Sequence, residues 1–161
     1  MLWQPNLTLC PWKRGKITSV NEAKEFITEA GLKNSSAKKF KTKTTLIALV
    51  GATIGKTGFL TFETTTNQNI AGLYPLDLQK LMPEYLFYAA QSLYSEFMKL
   101  SSGKFRMANL GFVKKLKIPL PSLEIQKQLV AEMEEQEKII EANKKLIGIM
   151  ERKIADVLSE L

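Results

Sequence analysis

The sequence contains no histidine, and so lacks both the commonest general base and the commonest metal ligand. Aspartate is nearly as scarce. Asp77 and Asp156 are the only two, so a hydrolytic pair of carboxylates would have to be built almost wholly from glutamate. A single cysteine, Cys10, excludes a disulfide framework or a cysteine-cluster metal site and reads as a buried or idle thiol. No apolar run approaches about 18 residues, and Met1-Leu2-Trp3-Gln4-Pro5 has neither the basic nor the apolar region of a signal peptide. These absences lead us to expect a soluble, cytoplasmic protein with no membrane segment, no metal site and no catalytic centre of its own.

What is present is charge, unevenly spread. The 161 residues carry 23 Lys+Arg against 16 Asp+Glu, a net +7. Residues 1–120 hold seventeen basic and seven acidic side chains, residues 121–161 six and nine, so a head of +10 is joined to a tail of −3. A basic head on an acidic, heptad-like stem suggests a polyanion-binding part carried on a protein-binding part. An ordinary lysine-rich surface is the plainer alternative.

Along the head, Trp3 and Trp12 stand beside Lys13, Arg14 and Lys16 and read as core residues rather than base-stacking platforms. Asn21 can cap a short helix with Ala23, Phe26, Ile27 and Ala30 on one face and Gly31 as its stop. Residues 33–44 contain five lysines and no acid. If their second half is extended, Lys39, Lys41 and Lys43 share a face at about 6.6 Å intervals, which a phosphate backbone could meet. A solvated lysine edge that discourages sheet aggregation is the alternative for each of them.

Thr44–Val50 is a continuous β-prone run ending at Gly51, and reads as a strand buried on both faces. Gly51-Ala-Thr-Ile-Gly-Lys-Thr-Gly58 invites comparison with a phosphate-binding loop. It has three residues, not four, between the first glycine and Gly55-Lys56, and the following Phe59-Leu-Thr-Phe62 reads as a strand rather than a helix. A strand–glycine loop–strand hairpin is the better reading, with Thr53 and Lys56 able to approach a phosphodiester. Thr64–Asn69 reads as a polar turn whose Asn67, Gln68 and Asn69 could read adenine edges or simply satisfy the turn. Ile70–Leu73 is a short apolar run.

Pro83 opens a core helix with Leu86, Ala90, Leu93, Phe97 and Leu100 on one stripe. Lys104-Phe105-Arg106 follows in a glycine-led loop suited to face nucleic acid. Leu116, Ile118 and Leu120 alternate with Lys115, Lys117 and Pro119 as an edge strand. Ser122 caps a helix that runs to the end of the sequence, with Glu124 in its first turn. Its seam, Leu129, Met133, Gln136, Ile140, Asn143, Ile147, Met150, Ile154, Val157 and Leu161, is spaced 4-3-4-3 without a break. Gln136 and Asn143 within that heptad seam would fix register and partner at some cost in stability. A helix of roughly 37 residues spans about 55 Å and needs a partner helix, unless it folds back along the head.

These readings give a mixed α+β fold: residues 1–121 form a basic globular domain with a mixed sheet and packed helices, and residues 122–161 a long coiled-coil helix. Leu46–Gly58, Asn67–Ile70 and above all Ile118-Pro-Leu-Pro-Ser-Leu-Glu-Ile-Gln-Lys-Gln-Leu-Val130 followed by a long helix resemble the specificity subunit of type I restriction-modification systems. The resemblance covers about residues 40–161. It implies a target-recognition domain reading one half of a split sequence in double-stranded DNA. It also implies modification subunits that bind S-adenosylmethionine, methylate adenine and dock on the helices, with a restriction subunit as a possible further partner. Mg²⁺ and ATP would belong to those partners, and this chain would hold no cofactor. A full subunit has two such domains whose helices pack antiparallel. This chain has one of each, as a half-subunit that pairs with itself or with a second half, or as a fragment.

Two rivals stand beside this reading. Intrinsic methyltransferase or nuclease activity finds no Asn-Pro-Pro-aromatic or Asp-Pro-Pro-aromatic tetrapeptide, and the only Glu-x-Lys after Asp77 is Glu151-Arg-Lys153, far down the heptad helix. An adaptor that uses the coiled coil and never touches DNA is the other.

Overall fold

The computed structural model describes residues 3–7, 19–20, 25–100 and 107–159, with side chains described from Phe26 onward. The expectations for Trp3, Cys10, Trp12, Lys104, Phe105, Arg106 and Leu161 lie outside those side chains. In chain order the strands are β1 (Trp3–Leu7), β2 (Ser19–Val20), β3 (Glu25–Thr28), β4 (Lys38–Phe40), β5 (Thr45–Ala48), β6 (Thr57–Leu60), β7 (Thr64–Thr66) and β8 (Ile70–Leu73). The helices are α1 (Glu29–Lys33), α2 (Pro83–Ser92), α3 (Tyr94–Lys99), α4 (Leu110–Lys115) and α5 (Leu123–Ser159).

Two four-stranded sheets, ordered β3-β1-β7-β4 and β2-β6-β5-β8, mix parallel and antiparallel pairs. This is the α+β architecture with a long terminal helix that the sequence predicts. β5 is buried along its whole length, as an unbroken apolar run requires, and pairs antiparallel with both β6 and β8. Its Ile47 joins Ile54, Ala90, Phe97 and Val113 in the main core, while Leu46 faces a second cluster with Leu60.

Several expected elements differ. Phe26 and Ile27 lie in β3, not a helix, because β1 offers a complete antiparallel partner for Glu25–Thr28. The helix starts later, where the Thr28 hydroxyl accepts from the Gly31 amide, so Gly31 sits inside α1 rather than stopping it. Thr64–Thr66 form a buried strand rather than part of a polar turn, since β1 and β4 pair with both edges of β7. Leu116–Leu120 form no strand. Pro119 and Pro121 remove two donors, and the segment is held instead by the Tyr85 hydroxyl donating to the Pro119 carbonyl at 3.0 Å.

The helix opened by Pro83 forms as expected but breaks at Leu93 into α2 and α3. α5 starts after Ser122, whose Oγ accepts from the Ile125 amide, and runs 37 residues, about 55 Å at ~1.5 Å per residue. Only Gln126 and Val130 of α5 are buried. From Leu129 to Val157 the seam's large apolar residues remain 40–60% exposed, so the stem does not fold back on the head. Ile139 and Leu146, one position before two seam residues, widen the bare stripe. No described helix is long and apolar enough to cross a membrane.

Candidate nucleic-acid interface

The candidate residues divide between the two ends of β5. At its N-terminal end the chain turns out of β4 through Lys41–Thr44, and Lys43 adopts φ +63°, a left-handed conformation that side chains rarely take. Its amide donates to the Leu60 carbonyl at 2.7 Å, which holds the turn against β6. This conformation ends β4 at Phe40, so Lys39, Lys41 and Lys43 do not line one face of a strand. Each has its own partner within the chain. Lys39 pairs with Glu63 at 2.6 Å, the Lys41 ammonium lies 3.5 Å from the centre of the Tyr74 ring, and Lys43 pairs with Glu84 at 2.8 Å. The hydrogen bond that the Lys43 ammonium donates to Glu84, and then the Glu84 charge, push the Lys43 pKa above the ordinary lysine value. All three lysines stay exposed, so these are surface pairs of little individual strength.

At the C-terminal end of β5, about 13 Å along the strand by ~3.3 Å per residue, three turns converge. The first is the glycine loop, a single 3-10 turn over Gly51–Thr53 followed by Gly55. Gly51 and Gly55 have φ of +71° and +74°, and a Cβ on Gly55 would lie 2.7 Å from the Cβ of Phe97. The loop leads directly into β6 with no helix behind it, as the spacing argument expects. The Thr53 hydroxyl donates to the Val50 carbonyl at 3.4 Å, and Lys56 is half-buried beside it. The second is the amide turn. Asn67 Oδ1 accepts from the Asn69 amide at 3.0 Å, and the Asn69 carbonyl accepts from the Leu49 amide at 2.8 Å. Gln68, between them, is exposed. The third is the start of α4. The Ala108 amide donates to the Leu49 carbonyl at 2.7 Å, Met107 bridges Val50, and Asn109 caps the helix through Phe112.

The structure therefore brings Thr53, Lys56, Asn67, Gln68 and Asn69 to one end and leaves Lys41 and Lys43 at the other. Among the turn side chains, Thr53 and Asn67 are engaged in their own turns, and Gln68 presents its amide outward. Among the described residues, no group of three or more His, Cys, Asp or Glu is placed to hold a metal ion.

The stem leaves from the lysine end. Gln126, fully buried, accepts from the Met82 amide at 2.9 Å and donates to the carbonyls of Lys80 at 2.7 Å and Pro121 at 2.9 Å. Met82 caps α2, whose Glu84 holds Lys43, so the stem base, α2 and the lysine turn form one connected joint. The seam reading begins at Leu129 and misses Gln126. The available signal is its position, one heptad before Met133.

Comparison with known proteins places these features in a family. The model of the type I restriction modification DNA specificity domain matches residues 7–152. A solved structure described as the structural basis underlying complex assembly and conformational transition of the type I R-M system aligns at TM-score 0.64 and 25% identity, over 74% of this chain and 29% of that one. The HsdS subunit from Thermoanaerobacter tengcongensis aligns at TM-score 0.64 and 19% identity, over 89% of this chain and 32% of its own. The chain thus spans about a third of the length of these structures. With the family model matched over most of its length, and the two sheets and long helix shared with an HsdS subunit, the chain belongs to the type I restriction modification DNA specificity domain family.

Proposed function

We propose that this chain reads one half of a bipartite site in double-stranded DNA and directs partner adenine methyltransferase subunits, with or without a nuclease subunit, to it. The observation that carries the reading is the separation of two surfaces. Three turns rich in hydrogen-bonding groups meet at one end of β5, and a 37-residue helix with an uncovered seam leaves from the other. The basic head supplies a sequence-independent phosphate attraction, and Gln68 supplies an amide able to pair with an adenine edge, worth about 1–3 kcal/mol when bidentate. The chain itself is non-catalytic on this reading, with S-adenosylmethionine, Mg²⁺ and ATP held by partner subunits. The stem zips onto a second copy or a second specificity half. Two heads about 50 Å apart would then address half-sites more than one DNA turn of about 34–36 Å apart.

Mapping methylated adenines in a host with and without this gene, modification subunits present, tests the reading. A bipartite methylated motif should appear only with the gene, and an unchanged methylome would overturn the proposal. An adaptor that uses the coiled coil without touching DNA is the second reading, favoured by the internal pairing of Lys39, Lys41 and Lys43. That reading requires no salt-dependent duplex binding, alone or with modification subunits.

A further inference from the structure

Between the turn cluster and the stem runs one strip of chain, Val113–Ile118, whose two sides differ sharply. Val113, Leu116 and Ile118 face inward, lining a cavity of about 400 Å³ over Leu86, Ala90 and Leu93 of the core helices. Lys114, Lys115 and Lys117 face outward and are exposed. The inward residues account for the packing of the strip, and none of the outward three forms an ion pair with a described residue. They contrast with Lys39, Lys41 and Lys43, each of which is held by an acid or an aromatic ring of the same chain. Two cations suit the last turn of α4, but Lys117 lies beyond the helix and gains nothing from it.

We infer that Lys114, Lys115 and Lys117 are a phosphate-contact track on the flank of the head, linking the turn cluster to the base of the stem. The inference rests on the DNA-reading proposal and names contacts for it. Past Lys115 the chain is extended, so Lys115 and Lys117 stand about 6.6 Å apart on one side, the interval at which successive phosphates of one strand can be met. Lysine is suited to this work because phosphate is met as a point charge, without base reading. A duplex whose bases meet the turns at one end of β5 would thereby be gripped toward the spacer between its half-sites.

The test is the salt dependence of affinity for duplex DNA containing the methylated motif, measured on the full chain by fluorescence anisotropy. The variant is the triple substitution Lys114→Gln, Lys115→Gln and Lys117→Gln. The control removes three positive charges elsewhere, by Lys33→Gln, Lys138→Gln and Lys145→Gln. Three lost phosphate contacts lower the log–log salt slope by about 2.7, so between 50 and 200 mM salt the wild type should lose roughly forty-fold more affinity than the variant. The control slope should stay near that of the wild type. Equal slopes for wild type and variant, or equal effects of variant and control, would overturn the track while leaving the DNA-reading proposal standing. Wild-type protein with no duplex affinity would overturn both. All six lysines are exposed, so an unchanged urea midpoint checks that each protein is folded.

Discussion

Replacing Gln126 tests the joint between head and stem. In Gln126→Met the side chain keeps its length and loses all three hydrogen bonds, leaving the Met82 amide and the Lys80 and Pro121 carbonyls without their partner. Each bond contributes about 1 kcal/mol net, and a sealed unpaired group costs about 1–3 kcal/mol. Met82 and Pro121 are half-buried and Lys80 is exposed, so water can repair part of the loss. A destabilisation of about 3 kcal/mol follows, read as a lower urea midpoint with an unchanged slope. Gln126→Glu adds a pH signature. One carboxylate oxygen can still accept from Met82, but the other faces two carbonyl oxygens, which favours the protonated acid. The folded-state pKa is therefore raised above the unfolded value of about 4.3. The penalty should be smallest below that pH and grow as pH rises through the folded value. A Met variant as stable as wild type, or a Glu variant with a pH-independent deficit, would refute the geometry of the joint.

Gly55→Ala combines a left-handed backbone with a clash against Phe97 and should cost about 3 kcal/mol or more, whereas Gly51→Ala, with a similar φ and open space around it, should cost about 1–2. Equal urea midpoints for the two would show that Phe97 yields. The Tyr88 hydroxyl is buried without a hydrogen-bond partner, so Tyr88→Phe should leave stability unchanged or raise it by up to about 1 kcal/mol. Burial first, then Glu137 and Glu134, raise the Tyr88 pKa, so wild type should lose stability above pH ~10, where the unfolded phenol ionises and the folded one does not, and the Phe variant should lose less in the same titration. Ile140→Glu with Ile147→Glu places charge in the bare seam and should shift sedimentation from dimer to monomer at tens of micromolar while leaving the head's unfolding midpoint in place; a wild-type monomer would refute self-pairing.

The parts of the fold legible in the sequence are those where one local signal governs. The apolar run of β5, the Pro83 start of α2 and the Ser122 start and heptads of α5 carry their own periodicity or cap. The parts that were not legible depend on distant chain. Phe26 and Ile27 satisfy helical spacing, yet β1 recruits them as a strand. Thr64–Thr66 look like turn residues until strands on both sides bury them. The expected lysine stripe does not form, for a similar reason. A strand interval predicts a stripe, but Lys43 turns left-handed, and Glu63, Tyr74 and Glu84 reach in from elsewhere to occupy the ammonium groups. Two of the three turns, the glycine loop and the amide turn, were legible as separate motifs, whereas the start of α4 was not. The meeting of the amide turn and α4 on the backbone of Leu49, beside the glycine loop, required the tertiary fold.

Because the only buried residues of α5, Gln126 and Val130, lie in its first turns and the apolar seam beyond them is exposed, it works as a lever with a short clamped base. A tilt of 5° at Gln126 would displace the far tip by about 4 Å over a ~50 Å arm. Inserting one residue into the stem lengthens it by only ~1.5 Å but swings everything beyond by about 100° around the axis. Functional changes of stem length should therefore come in near-whole turns of three, four or seven residues, each keeping the apolar stripe aimed at its mate while stepping the distance between reading heads.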